Sequence, residues 1–523
     1  MGGQFLVKKI KFNDRHVNVI NEDLMLCNDN YFSIVVGKNG CGKSSLLEAI
    51  ARGCLTLQAL PNSERESSGE DECNIDYYTV KNDSLYKEIE MHFSFEGEGY
   101  IALTTHEDVR GNGMPMFTTK YKYLMPTEIP NVICISNGFF NRFPDFEKNF
   151  LCSRNNSEDK FSNLSLTQSF VTKPGRRLRG LLDESISHEI ILAFFSLRLN
   201  NTLLFLRNFG VAGLVRVLIK PNRMLRGVGE KGIVNELELD NSLRDIGEFR
   251  QAKNSDEILP SLKVAIHDTF ETLFSNIQLE LRQIDIEREF NYICFPFSFL
   301  LNTAIDNDWG SDGAELAKNI TLLSEYNIIQ VEDVFLPKGW DDVRLKKMSS
   351  GELCILLMLF KINSKIKDNS LILIDEPEIS LHPAWQKEII PSLEKCFSSY
   401  KGCHFIIATH SPQIVSGIPE ENSCVVLLEE PGKVIKGKDV HGKSSDFQLF
   451  NTLNFAGDSN EYIIRELLLI ISKIDTSQTL SDEDERFLMH AAHLLKDAEE
   501  YDTAKYLLLQ AVALVEGRKN NGK

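Results

Sequence analysis

The sequence predicts an α/β protein: a parallel sheet with flanking helices, interrupted by a large, mainly helical insertion and followed by a helical tail. Three observations carry that reading. Residues 32–36 (FSIVV), 371–374 (LILI) and 405–408 (FIIA) are short apolar runs, the pattern of strands buried on both faces of a parallel sheet. Each run ends in a polar, chemically loaded segment: GKNGCGKSS, DEPEISLHP and THSP. Ligands of open α/β sheets gather at the carboxyl ends of strands. More than half of the chain separates the first run from the second, so the sheet must be assembled from distant parts.

Length and composition frame the rest. At 523 residues the chain exceeds the size at which single cores stop growing, so several domains or a large insertion are expected. The 42% apolar and 25% charged content is that of a globular protein, with no uninterrupted apolar run long enough to span a bilayer. The opening MGGQFLVKKIKF lacks a secretory cleavage site, and Leu6 stands where a myristoylation motif wants Ser or Thr. A cytoplasmic location without membrane attachment is therefore expected. Eleven cysteines are scattered without a C-x-x-C pair, which suggests neither a zinc knuckle nor a disulfide framework. A net charge of -18 repels phosphate backbones, so any nucleic-acid contact must come from a local basic patch or through a partner.

In chain order, residues 1–146 alternate strands with one helix and carry an acidic, serine-rich surface segment at 62–71. Within them Gly37, Gly42, Lys43 and Ser44 fill the pattern G-x-x-x-x-G-K-[ST], with a strand before it and an apolar helical pattern after it. Glycines let the backbone curl so that successive N–H groups and the helix N-terminus point at phosphate oxygens. The loop residues Gly37, Asn39, Gly40, Cys41, Gly42, Lys43, Ser44 and Ser45 are thus the candidate nucleotide site. Lys43 would neutralise the β- and γ-phosphates of ATP, and the Ser44 hydroxyl would ligate Mg²⁺.

Residues 147–335 form the insertion, helical by pattern at 186–206 and 258–281. Its basic clusters at 175–179 and 220–226 read first as solvated surface, with a nucleic-acid backbone as the alternative. Residues 336–435 return to the sheet. The strand at 371–374 delivers Asp375 to the metal shell and Glu376 to the attacking water, and His410 follows the next strand as a γ-phosphate sensor. Residues 436–523 form a helical tail in which 462–471 and 506–515 are apolar around most of the helix, to be covered by self-packing or by a second protein. The one late D-x-D, Asp482 to Asp484, follows Ser481 and reads as a helix cap, so the chain is not expected to be a nuclease.

The stretch LKKMSSGEL, 345–353, precedes an apolar helix and lies shortly before the acidic strand. With it, the sequence resembles the ABC-type ATPases, whose signature loop L-S-G-G-Q appears here as Met348, Ser349, Ser350, Gly351 and Glu352. The resemblance implies the ABC-ATPase nucleotide-binding domain, a P-loop NTPase fold split into halves at 1–146 and 336–435. It also implies a head-to-tail homodimer in which Ser349, Ser350, Gly351 and Glu352 cap ATP bound to the partner. The long insertion is unlike a transporter ATPase, and no sustained heptads suggest a coiled coil. EPEISLHPAWQ and ATHSPQIV look like the RecF/OLD-like (AAA) branch, and VICISNGFFNRFPDF, 132–146, is similar to the PtuA ATPases of Septu and some retron anti-phage systems. That resemblance implies slow ATP hydrolysis that regulates a separate effector nuclease, expected to be of the HNH type, with retron RNA–DNA or other nucleic acid reached through the complex. The alternatives are a DNA-repair ATPase of the RecF or SMC type and the ATPase of another defence pair such as PARIS. Two departures stand out. Ser136 and Asn137 occupy the place of the family's Q-loop glutamine, leaving Asn137 as its nearest equivalent, and the D-loop reads Ser380, Leu381, His382 where transporters end in Asp.

Overall fold

The computed structural model describes residues 4–12, 14–21, 29–58, 73–75, 88–95, 98–107, 116–121, 130–136, 142–144, 161–164, 184–195, 202, 206–207, 210–211, 214–229, 232–246, 255–280, 295–300, 310–338, 341–379, 381–430, 432–476, 478–496, 498–499 and 502–521. Asn137, Ser380, the segment 62–71 and the basic cluster 175–179 lie outside them. The chain divides into two compact units, one of Met1–Asn163, Asp368–Pro391 and Lys401–Lys523, the other of Leu164–Lys367 and Ser392–Tyr400.

The first unit is organised by a seven-stranded sheet. Its strands run in the order Val434–Lys436, Ser423–Leu427, Tyr31–Val36, His404–Ala408, Leu371–Asp375, Val132–Ser136, Phe161–Asn163. All pairs are parallel except the first. The five inner strands are buried at every residue, which is why they read as continuous apolar runs with no alternation. Strand His404–Ala408 opens on a histidine that is wholly buried. Its Nδ1 accepts from the Val7 N–H at 3.2 Å and its Nε2 lies 2.9 Å from Ser33 Oγ, which in turn donates to the Val19 carbonyl at 2.6 Å. Nδ1 is an acceptor, so the proton sits on Nε2 and donates to Ser33. Burial pushes the His404 imidazole down to about 3, so the ring is a neutral bolt between the sheet and the N-terminal strand.

A second, antiparallel sheet of the same unit runs Arg15–Asn18, Leu6–Phe12, Glu88–Phe95, Glu98–Glu107, Met116–Tyr121, Cys73–Ile75. Helix Lys43–Gln58 buries Leu46, Leu47, Ala49, Ile50 and Cys54 in a core shared with Ile10, Met91 and Phe93 of that sheet and Leu371 and Ile406 of the parallel one. In the tail, helices Glu461–Asp475, Asp482–Leu494 and Thr503–Asn521 pack on one another through Ile463, Leu467, Ile470, Leu488, Ala491, Leu508 and Ala511. Ser481 caps the middle helix in a reciprocal box with Asp484, which also takes Lys473, so the late D-x-D is a helix start.

The second unit contains helices Glu184–Phe195, Glu236–Asp245, Ser255–Glu280, Gly310–Glu325 and Ser350–Lys365. It also carries a four-stranded antiparallel sheet, Phe295–Leu300, Leu214–Pro221, Ile329–Lys338, Asp341–Arg344, in addition to the helices the sequence pattern gives. Lys220, from the second basic cluster, is ion-paired with Glu332, which also holds Lys346. Burial works to raise the Glu332 carboxyl, but the two lysines hold it below its ordinary value. That lysine is structural. No helix among the described residues is long and apolar enough to cross a membrane.

Candidate nucleotide site

Sheet register brings three distant motifs to one edge. Asp375 is paired with Ala408, and Ala408 with Val35, so the acidic pair, the histidine segment and the glycine loop all leave the sheet at its carboxyl end. The loop then curls through Gly40 at φ 80° and Gly42 at φ 102°, both in the left-handed region. At Gly42 a Cβ would lie 2.9 Å from an Arg15 guanidinium nitrogen, which can swing aside, so it is the backbone conformation that calls for glycine there. Asn39 and Gly40 form the exposed crest, while Cys41, Gly42, Ser44 and Ser45 are half-buried. Lys43 is buried, and its ammonium donates to the carbonyls of Gly37 at 2.7 Å and Lys38 at 3.2 Å. It is held inside the curl of the loop, where phosphate oxygens would meet it.

Ser44 Oγ donates to Asp375 Oδ1 at 3.1 Å. Burial pushes the Asp375 carboxyl up to about 6; Glu376 and Glu378 add to the rise, while the Ser44 hydroxyl and Arg142 oppose it. A buried carboxylate beside two others and next to a hydroxyl is a site short of positive charge, and the two hard oxygens suit Mg²⁺. Among the described residues no cluster of three His, Cys, Asp or Glu side chains forms a metal cage. Mg²⁺ bound through one or two protein oxygens and substrate phosphates needs none.

Glu376 has φ 50°, a costly conformation for a residue with a Cβ, and its N–H donates to the Ala408 carbonyl at 2.9 Å. The bond pins the turn. His410 is 39% exposed, and its backbone N–H donates to Glu378 Oε1 at 2.8 Å. Ser411 follows, capping helix Pro412–Ser416 and donating to Gln386 Oε1 at 2.7 Å. His382 is exposed, and its Nδ1 accepts from the Ala384 N–H at 3.3 Å at the start of helix Pro383–Cys396.

The signature residues belong to the second unit. Ser349 caps helix Ser350–Lys365, accepting from the Glu352 N–H at 3.3 Å, while the Glu352 carboxylate accepts from the Ser349 N–H at 3.4 Å. Ser349 and Ser350 are exposed, and Gly351 is buried. From Leu353 on, the helix is buried almost all round, with Phe360 against Phe194 at 5.6 Å between ring centres.

Three residues at the nucleotide edge escape motif reading. Arg15 donates to the Cys41 carbonyl, Arg142 donates to Ser45 Oγ at 3.1 Å, and Glu378 holds the His410 backbone. Arg142 lies within the segment VICISNGFFNRFPDF, as does Asn137, which is outside the described residues.

A curled glycine loop, a buried lysine, and a serine hydroxyl on a strand-borne aspartate are the arrangement that the candidate phosphate-binding site requires. The sequence model of the AAA ATPase domain matches residues 11–415, and the chain belongs to that family. It is 25% identical over 469 residues to the retron Ec83 probable ATPase of Escherichia coli, covering 87% of this chain and 78% of that protein. It is 28% identical over 156 residues to the Septu protein PtuA of Bacillus mycoides, covering 27% of this chain and 21% of that one. Among solved structures, an Smc head domain with an extended coiled coil, bound to the C-terminal domain of ScpA, from Pyrococcus furiosus is matched at 12% identity with a TM-score of 0.29, over 82% of this chain and 95% of that chain.

Proposed function

We propose that the chain is a slow, Mg²⁺-dependent ATPase that closes as a head-to-tail homodimer around ATP and regulates a separate nuclease in anti-phage defence. The observation that carries the ATPase half is the Ser44–Asp375 contact, which joins residues far apart in sequence into one magnesium-type oxygen pair beside Lys43. The defence half rests on similarity to a retron ATPase over most of the chain, supported by the shorter match to a Septu protein. In this reading Lys43 and the loop N–H groups bind the β- and γ-phosphates. Ser44 and Asp375 hold Mg²⁺, which when bound neutralises charge on the transferring phosphoryl oxygens. Glu376 takes the proton of the attacking water, and His410 contacts the γ-phosphate. Ser349, Ser350, Gly351 and Glu352 act on ATP bound to the other protomer.

The partner surface is the tail. Its self-packing leaves Leu468, Leu469, Met489, Tyr506 and Leu509 exposed, an apolar set that a protein partner would cover, and the effector proposed for it is a nuclease of the HNH type. Nucleic acid would then be reached through the complex. Lys43→Ala is expected to lose ATP binding and protection against phage together. Glu376→Gln is expected to bind Mg²⁺–ATP normally and to hydrolyse it about 10²–10⁴-fold more slowly, the usual weight of a general base. Equilibrium binding of a fluorescent ATP analogue and phosphate release measure the two. Wild-type binding in the first variant, or wild-type turnover in the second, overturns the assignment.

A further inference from the structure

Glu378 is the most unusual carboxylate of the nucleotide edge. It sits in the turn that follows the acidic pair, with 7% of its side chain exposed. Oε1 accepts the His410 backbone N–H at 2.8 Å and lies 3.6 Å from Nδ1 of the same residue. Oε2 is buried without a hydrogen-bond partner among the described residues. An ionised carboxylate offers about four acceptor positions, and leaving an oxygen buried and unmet costs on the order of 1–3 kcal/mol. A second tie runs alongside, from Ser411 Oγ to Gln386 Oε1. The histidine segment is thus fastened to the turn and helix behind the acidic strand by two side chains, one of which keeps acceptor capacity in reserve beside the imidazole.

We propose that Glu378 is the positioning residue of His410: it fixes the histidine backbone through Oε1 and takes the Nδ1 proton with its remaining acceptor capacity, turning Nε2 toward the phosphate. This division of labour differs from a glutamate–histidine pair built on Glu376, which keeps its carboxylate for water. A small rotation of the imidazole closes the gap from 3.6 Å to hydrogen-bond length, with no substrate needed to make the bond. A carboxylate behind a functional imidazole sets both its tautomer and its direction. Glu378 itself touches no substrate.

The kinetic part of this inference rests on the proposed ATPase activity, so the first test does not use turnover. Histidine-labelled full-length protein, free of nucleotide, is examined by long-range proton–nitrogen NMR, with His410 assigned from the His410→Gln spectrum. His410 is expected to carry its proton on Nδ1, opposite to the tautomer that free histidine favours, and Glu378→Gln is expected to move it to Nε2. A wild-type His410 unprotonated at Nδ1 overturns the proposal, and that readout needs no variant of Glu378 to fold. The second test is a double-mutant cycle in ATP turnover. Glu378→Gln and His410→Gln are each expected to lower kcat by about 10–100-fold with little change in ATP affinity, the usual weight of an orienting partner. The double variant is expected to match His410→Gln alone. Multiplying losses would mean that Glu378 acts independently of the histidine. If none of the chains turns ATP over, the ATPase reading fails while the tautomer still decides the role of Glu378.

Discussion

At the scale of single residues, the two histidines His404 and His410 stand six positions apart and do opposite work. His410 stands at the carboxyl end, where its backbone is held by Glu378; His404 is a neutral core group bonded at both nitrogens. Its folded-state value of about 3 lies below the ordinary 6.5, so the unfolded chain takes up the proton first. The stability His404 contributes is therefore present above pH 6.5 and is lost as pH falls toward 3, at up to about 1.4 kcal/mol per pH unit. Asp375 has the opposite sign: its folded value of about 6 lies above 3.8, so its contribution is present below pH 3.8 and is lost as pH rises through 6. The two oppose each other between pH 4 and 6. In Asp375→Asn protein without Mg²⁺, urea midpoints should fall steeply from pH 6.5 to 4.5, and adding His404→Gln should flatten that slope. An unchanged slope would remove His404 as its source. Neither burial nor the positive φ of Glu376 was legible in the sequence, because both are set by neighbours from remote strands. Arg15 and Arg142 were hidden for the same reason, and Glu378, though it stands inside EPEISLHP, carries no sign in the sequence of the histidine segment it holds.

At the scale of elements, helix Ser350–Lys365 starts on a serine that the proposed function uses a second time. Ser349 closes a capping box with Glu352, so the segment is a sound helix start in its own right. Ser349→Ala should cost about 1 kcal/mol of stability through the lost cap, read as a lower melting temperature. Ser349→Arg should in addition prevent ATP-driven closure while leaving ATP binding to the phosphate loop intact. A Ser349→Arg chain that still closes would make the serine a cap and nothing more. The tail helices looked apolar nearly all round, and the structure divides that surface. Ile463, Leu467, Ile470, Leu508 and Ala511 face one another, while Leu468, Leu469, Tyr506 and Leu509 stay exposed. Deleting 481–523 would strip cover from the first tail helix and expose its core. The cleaner test is Leu468→Glu with Leu509→Glu, which should leave melting temperature and ATP binding unchanged and abolish retention of the effector in a pull-down. Retention of the effector would place its docking site elsewhere. Three strands of the parallel sheet, Tyr31–Val36, Leu371–Asp375 and His404–Ala408, were legible because each is a buried run ending in a motif. The antiparallel sheet of the second unit had a signal too, in the alternation of Val215, Val217 and Ile219 along LVRVLIKP, but it lay between stronger helical patterns.

At the scale of the whole molecule, the phosphate loop and the signature helix belong to different compact units of one chain, and a net charge of -18 argues against the chain itself wrapping nucleic acid. The central claim is that two chains share their ATP sites head to tail. Chains carrying Lys43→Ala and chains carrying Ser349→Arg are mixed, heterodimers are isolated with two affinity tags, and Mg²⁺–ATP retained through gel filtration is counted per dimer. In a shared arrangement both defects fall in one site and the other site is wholly wild type, so one occluded ATP per heterodimer is expected, while neither parent homodimer should occlude any. Occlusion is read instead of turnover so that coupling between the two sites in hydrolysis does not blur the count. Heterodimers that form but hold no ATP would show that each chain works on its own nucleotide, and would contradict the shared site.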